Sequence, residues 1–95
     1  MYHLIIKPGA YQMLDEAYHW YELQVPGLGE RLLDEIGVSF DKLKFTPLFY
    51  SYIRENYRQL LIKHFPYKII FEVIGNDVVI YAIFHTSQNS EKLFE

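Results

Sequence analysis

The fold of this chain is decided by residues 67–84, which read YKIIFEVIGNDVVIYAIF. Two runs rich in Ile, Val, Phe and Tyr flank Gly75-Asn76, a pair that favours a two-residue hairpin loop. With such a loop, residues whose numbers sum to 151 face each other, as Ile74 and Asp77 do. Tyr67, Ile69, Phe71 and Val73 then pair with Phe84, Ala82, Ile80 and Val78. This face is wholly apolar, and we predict that it lies under a layer of helices.

The opposite face of the same hairpin is mixed in character. The register places Lys68, Ile70 and Glu72 opposite Ile83, Tyr81 and Val79, with His85 just beyond. A sheet face that combines charge, tyrosine and aliphatic side chains is a candidate contact surface. We therefore predict that Lys68, Tyr81 and His85 lie together on the face turned away from the helices.

Two helices are predicted before the sheet-forming half. Apolar residues recur at three- and four-residue spacing over about Ala10–Leu23, and again from Leu28 to about Phe45. Between them, Val25-Pro26-Gly27-Leu28-Gly29 stops the first helix and allows a tight reversal. Helices joined by so short a link form an antiparallel hairpin.

Further strand-like segments complete the pattern. They are Tyr2–Ile6, Tyr50–Ile53, Tyr57–His64, Tyr67–Ile74 and Asp77–Phe84. The order predicts an α+β fold, in which an N-terminal strand and a helical hairpin pack on one face of a mainly antiparallel sheet of four to five strands. Ninety-five residues suffice for one core, so we expect a single domain over residues 1–95.

Composition narrows the function classes. The chain has no cysteine, which excludes disulfides and thiolate zinc sites, and its four histidines show no metal-binding spacing, so we expect neither metal nor cofactor. The first apolar run is too short for a signal peptide or membrane span, so we expect a cytoplasmic protein without membrane contact.

The net charge of −3 is unevenly distributed. Residues 10–46 carry seven acids against three bases, a net charge of −4, whereas residues 54–68 carry four bases against Glu55, a net charge of +3. A general polyanion binder is basic overall, so the sequence disfavours nucleic acid except through this local patch.

Three segments carry a resemblance to a known family. WYELQVPGLG at residues 20–29 resembles the hairpin signature of ParE-like toxins, and Arg58 followed by FPYKIIF at residues 65–71 resembles one of their strands. VIYAIFH at residues 79–85 resembles their last strand, which ends in histidine. Together these segments look like the RelE/ParE superfamily of plasmid-stabilisation type II toxins.

The resemblance implies a toxin that binds an essential target, DNA gyrase being the most concrete candidate, and that is neutralised by a cognate antitoxin from the same operon. The alternatives are a RelE-like, ribosome-dependent mRNA endonuclease and a non-toxic module that only pairs with its antitoxin. In many relatives a basic run follows the histidine, but here Thr86-Ser87-Gln88-Asn89 follows it. Without those donors to the scissile phosphate, we expect binding rather than enzymatic activity.

Candidate contact residues are predicted for the target or the antitoxin. They are Arg58, Lys68, Tyr81, His85, Ser87, Gln88 and Lys92. The imidazole of His85 is a candidate for proton transfer, but a strand-end histidine more often bonds the following loop. A nucleophilic pair of Ser87 with His85 lacks an evident acid partner. In the hairpin, Trp20 and Tyr21 are expected to fill the core, and Glu22 to be a solvated charge.

Overall fold

Two helices lie against one face of a five-stranded sheet in the computed structural model, which describes residues 1–94. The elements are β1 (His3–Ile6), α1 (Pro8–Gln24), α2 (Leu28–Phe45), β2 (Tyr52–Arg54), β3 (Tyr57–Leu61), β4 (Tyr67–Ile74) and β5 (Asp77–His85). Two short 3₁₀ helices are labelled η1 (Pro47–Phe49) and η2 (Ser90–Phe94). The predicted α+β class and helical hairpin are confirmed.

The strands follow the order β1-β5-β4-β3-β2 across the sheet. β2 to β5 form an antiparallel meander, as the short turns between them require. β1 pairs with β5 in parallel, with Ile6 opposite Ile80. The helical hairpin supplies the long connection that carries the chain from β1 back across the sheet.

The hairpin of β4 and β5 departs from the predicted register at one point. Pairs from Ile74 with Asp77 to Phe71 with Ile80 match the two-residue loop, but the next pair is Ile70 with Ala82. Tyr81 is therefore the extra residue of a β-bulge, which reverses the facing of every later side chain of β5. The prediction that Phe84 and Ala82 line the helix-covered face was wrong, and Ile83 takes that place.

The main core lies between the helical hairpin and the sheet. The apolar face predicted for α2 is confirmed, since Leu32, Ile36 and Leu43 are almost wholly buried. From the sheet, Ile69 and Phe71 meet them as predicted. A smaller apolar cluster of Ile70, Ala82 and Phe84 occupies the other face of the sheet, with Ile53, Tyr57 and Leu93 packed against it.

Several boundaries differ from the sequence prediction. α1 begins two residues earlier, because Pro8 fits the first turn of a helix, where its missing N–H is not needed. Residues 47–49 form η1, so β2 begins only at Tyr52. β3 ends at Leu61, and His64 adopts a left-handed φ of 70° in the turn before β4. Within residues 1–94, none of the helices has the length and apolar character needed to cross a membrane.

Candidate functional site

The bulge at Tyr81 separates the three residues that were predicted to form one contact surface. Lys68 lies opposite Phe84, and both point to the open face of the sheet, where Tyr81 also lies. His85 lies opposite Tyr67, and their rings meet edge to face at 5.2 Å. Because Tyr67 packs against the main core, His85 belongs to the helix side of the sheet. The predicted grouping of Lys68, Tyr81 and His85 was therefore wrong for His85.

The hydroxyl and the ring of Tyr81 both contact other side chains of the open face. Its hydroxyl donates to Oε1 of Glu72 at 2.9 Å, and its ring meets that of Tyr57 at 5.5 Å. Burial and the hydrogen bond to Glu72 raise the pKa of Tyr81 to about 12. The phenol consequently stays protonated at physiological pH and acts as a donor rather than a base.

The chain after β5 returns across the open face, which the sequence did not predict. Leu93 of η2 packs on the cluster of Ile70, Ala82 and Phe84, and Phe94 lies 4.7 Å from the ring of Tyr57. Arg54 holds η2 in place by a 2.6 Å ion pair with Glu91 and a cation–π contact with Phe94. The apolar pair Leu93-Phe94 after a polar turn was the signal that could have indicated this cover.

His85 is engaged by the turn that follows β5. Its Nδ1 lies 2.7 Å from Oγ of Ser87 and accepts a hydrogen bond of 3.1 Å from the Ser87 main-chain N–H. The expectation that a strand-end histidine bonds the next loop is confirmed. An accepting Nδ1 leaves the proton of the neutral ring on Nε2. The close approach of Ser87 is thus part of a local turn.

Gln88 closes the end of β5. Its side-chain Oε1 accepts from the main-chain N–H of His85 at 2.8 Å, and its own N–H donates to the His85 carbonyl at 2.9 Å. The Gln88 carbonyl also lies 3.4 Å from Nζ of Lys68. Gln88 therefore bonds to the main-chain groups of His85 as a neighbouring strand would. Its carbonyl also holds the Lys68 ammonium at the edge of the open face.

Arg58 lies on the helix side of the sheet and ties down η1. Its guanidinium donates to the carbonyls of Tyr50 at 2.6 Å and Leu48 at 3.2 Å, and it stacks 3.8 Å above the ring of Tyr52. The guanidinium is thus held by two main-chain carbonyls and an aromatic ring. These contacts fix the connection between α2 and β2.

The basic segment of residues 54–68 does not form a single patch. Arg54 is paired with Glu91, Arg58 faces the helix side, and Nδ1 of His64 lies 3.1 Å from Oε1 of Glu35. Lys92, another predicted contact residue, is exposed on η2. Within residues 1–94, no three metal-ligating side chains come together.

Glu22 stabilises the turn between α1 and α2. Its carboxylate accepts from the main-chain N–H groups of Gly27 at 3.1 Å, Gly29 at 2.8 Å and Glu30 at 3.2 Å. These bonds, that from Gly27 most strongly, hold the pKa of Glu22 below its ordinary value. The prediction of a merely solvated charge was wrong, because the first N–H groups of α2 need acceptors. The glutamate before Pro-Gly-Leu-Gly was the available signal.

Trp20 in the hairpin motif also differs from its prediction, because its side chain is 55% exposed rather than part of the core. Tyr21 is half-buried against Phe65 and Tyr67, as predicted. Trp20 instead forms one wall of a groove between α1 and the far half of β5. We call this the α1–β5 groove, and it is lined by Met13, Glu16, Ala17, Trp20, Tyr21, Tyr67, Ile83, His85 and Gln88.

Comparisons with known proteins agree with this architecture. The sequence profile described as "ParE toxin of type II toxin-antitoxin system, parDE" matches residues 4–90. No curated protein gives a significant match. A solved chain described as "Chromosomal ParDE TA system from P. aeruginosa" is similar, with 20% identity and a TM-score of 0.79 over 90% of this chain and 96% of that chain.

The matching profile and the sequence motifs, together with the fold, define a small toxin of the RelE/ParE class. Because the matching profile spans well over half of its length, the chain belongs to the ParE toxin family of type II toxin–antitoxin systems.

Proposed function

We propose that this protein is a toxin that acts by stoichiometric binding of an essential target, with DNA gyrase as the leading candidate, and that a cognate antitoxin neutralises it. Membership of the ParE family supports the first part of the proposal. The binding mechanism is supported by the contacts that occupy the open face of the sheet. That face holds the bonded pair of Tyr81 and Glu72 and is covered in part by η2.

Cleavage of RNA needs donors directed at the phosphate on which negative charge develops. On the open face, the Arg54 guanidinium is neutralised by Glu91, and Nζ of Lys68 lies 3.4 Å from the Gln88 carbonyl. Arg58 lies on the other side of the sheet. These cations do not converge on a common point, which favours binding over catalysis.

A partner surface is supported by the number of large apolar side chains that remain exposed. Leu23 and Phe49 are more than four-fifths exposed, and Trp20, Val25 and Leu61 are more than half exposed. Phe49 and Leu61 line one cavity, and contiguous exposed apolar area of this kind is typical of protein interaction sites. A disordered antitoxin segment that folds on contact can cover such dispersed positions along one chain.

The proposal is tested by inducing the chain in bacteria without the neighbouring reading frame, while growth, plasmid supercoiling and mRNA integrity are recorded. We expect growth arrest with loss of negative supercoiling and intact mRNA. Co-expression of the neighbouring reading frame should restore growth and give a complex that co-purifies. Codon-specific mRNA cuts would instead indicate an endonuclease, and unimpaired growth would indicate a non-toxic module.

A matched pair of variants separates surface contact from folding in this experiment. Lys68→Ala removes the cation at the open face, whereas Lys63→Ala removes an exposed cation from the turn before β4. If the open face meets the target, only Lys68→Ala relieves the arrest, and both variants melt at nearly the wild-type temperature. Equal toxicity of the two variants would place the target contact elsewhere.

A further inference from the structure

Phe49 is held in solvent by a turn whose backbone is fixed. Its side chain is 82% exposed, although its main-chain N–H donates to the Thr46 carbonyl at 3.2 Å within η1. Its two neighbours in the chain, Leu48 and Tyr50, both have carbonyls that accept hydrogen bonds from the Arg58 guanidinium. The contacts of Arg58 therefore stabilise a turn that presents a large apolar ring to solvent.

The apolar surface around Phe49 continues onto β3. A cavity of about 350 Å³ opens beside the ring, and its walls are Phe49, Tyr50, Ser51, Gln59 and Leu61. We call these five residues the η1–β3 surface. Leu61 is 64% exposed, so two large apolar side chains from different elements frame one cavity. A cavity of this size can take a side chain from a partner while Phe49 enters the partner.

The η1–β3 surface adjoins the open face of the sheet at a cation. Leu61 lies directly opposite Lys68 on β4, and paired residues of antiparallel strands direct their side chains to the same face. Residues 42–68 contain six of the nine lysines and arginines of the chain against Glu55 alone, a net charge of +5. A partner surface with carboxylates complements this charge. A second copy of the chain would bring two such segments together and is disfavoured for that reason.

The shape of the η1–β3 surface indicates a folded partner. A ring that is already fixed in an exposed position loses little conformational freedom when it binds, and such aromatic anchors fill well-packed pockets at the centres of interfaces. Preformed apolar pockets belong to folded proteins. A segment that is disordered when free has no pocket until it folds. The surface therefore fits the target of the toxin better than a disordered antitoxin segment.

We propose that the η1–β3 surface binds the target protein, with Phe49 inserted into an apolar pocket of the target and Lys68 paired with a carboxylate at the rim of that pocket. The inference rests on the proposed function, in which the toxin binds an essential target, and it specifies the surface that makes the contact. An apolar side chain of the target fills the cavity between Phe49 and Leu61.

Two truncated aromatic residues provide the matched comparison. Phe49→Ala removes the anchor, whereas Tyr11→Ala removes a ring that is more than half exposed on α1. Each purified chain is titrated with DNA gyrase, and each is induced in bacteria. We expect Phe49→Ala to weaken gyrase binding by about thirtyfold or more and to relieve growth arrest. Tyr11→Ala should keep the wild-type affinity and toxicity, and both variants should melt near the wild-type temperature because both rings are exposed.

A second variant tests the other wall of the cavity. Leu61→Ala should also weaken gyrase binding, because it removes the apolar side chain that faces Phe49 across the cavity. All three variants should bind the product of the neighbouring reading frame as the wild type does. If Phe49→Ala and Leu61→Ala lose that complex and keep their affinity for gyrase, the surface belongs to the antitoxin and the inference is overturned.

The outcomes also separate this inference from the function on which it rests. If the wild type binds gyrase and arrests growth, and Phe49→Ala does both equally well, the η1–β3 surface is not the contact, although the proposed function stands. If Phe49→Ala relieves an arrest that the wild type causes without binding gyrase, the surface assignment stands and the target is another protein. A wild-type chain that neither binds gyrase nor arrests growth would overturn both the proposed function and the inference.

Discussion

Replacing Gly29 with alanine tests the close approach of the two helices. A Cβ built at Gly29 lies 2.7 Å from Cγ of Glu22, 2.7 Å from the carbonyl oxygen of Tyr18 and 2.9 Å from Cδ1 of Tyr18. Carbon atoms pack best at about 3.5–4.0 Å, so something must move. The Tyr18 oxygen belongs to the backbone of α1, so relief requires the helices to separate and weakens the 2.8 Å bond from Gly29 to Glu22.

Overpacking of this kind costs about 1–3 kcal/mol, which exceeds the gain of up to about 1 kcal/mol when alanine replaces glycine in a helix. We therefore expect Gly29→Ala to lower the free energy of unfolding by about 1–2 kcal/mol. For a domain of this size, each kcal/mol lowers the melting temperature by about 4–8 °C. The assay is thermal unfolding followed by circular dichroism, with urea denaturation as a second measure.

Gly37→Ala is the matched control in the same helix. Gly37 is exposed, and no atom lies within 4 Å of an added Cβ. The substitution should stabilise the protein by about 0.5–1 kcal/mol through helix propensity alone. If Gly29→Ala is as stable as Gly37→Ala, the described contact between the helices is wrong.

Three further predictions concern side chains that bond within the hairpin, at η1 and on the open face. Glu22→Gln should be less stable than wild type at pH 7, and the difference should shrink as pH falls below 4.5 in denaturation curves, because a lowered folded-state pKa stabilises only the ionised form. Arg58→Lys should lose about 1–3 kcal/mol in urea unfolding, since an ammonium cannot reproduce the bonds to both Leu48 and Tyr50; an unchanged midpoint would refute it. Tyr81→Phe should remove the tyrosine that ionises at about pH 12 in an ultraviolet titration, whereas an unchanged titration curve would contradict the assignment.

The main layers of the fold could be predicted because they depend on periodic patterns. The Gly75-Asn76 turn correctly predicted the strand pairs nearest to it, and the spacing of apolar residues in α2 correctly predicted its buried side. The bulge could not be predicted, because residues 78–84 are aliphatic or aromatic on both faces and a shift by one residue leaves such a side chain at each position. That single insertion exchanged the facings of Ala82, Ile83 and Phe84.

The candidate site was less predictable, because its contacts are distant in sequence or depend on the main chain. Arg58 and Gln88 each bond to main-chain groups whose positions no side-chain pattern specifies. The ion pair of Arg54 with Glu91 spans 37 positions. Trp20 is exposed on α1, beside the half of β5 that lies beyond the pairing with β1.

The central claim, inhibition by stoichiometric binding, is tested most directly by titrating the purified chain into a supercoiling reaction at several concentrations of DNA gyrase. The account predicts that activity falls as toxin is added and that the toxin concentration giving half inhibition rises in proportion to the gyrase concentration. Full gyrase activity at a large molar excess of folded toxin, together with mRNA cleavage in a translating extract, would contradict it.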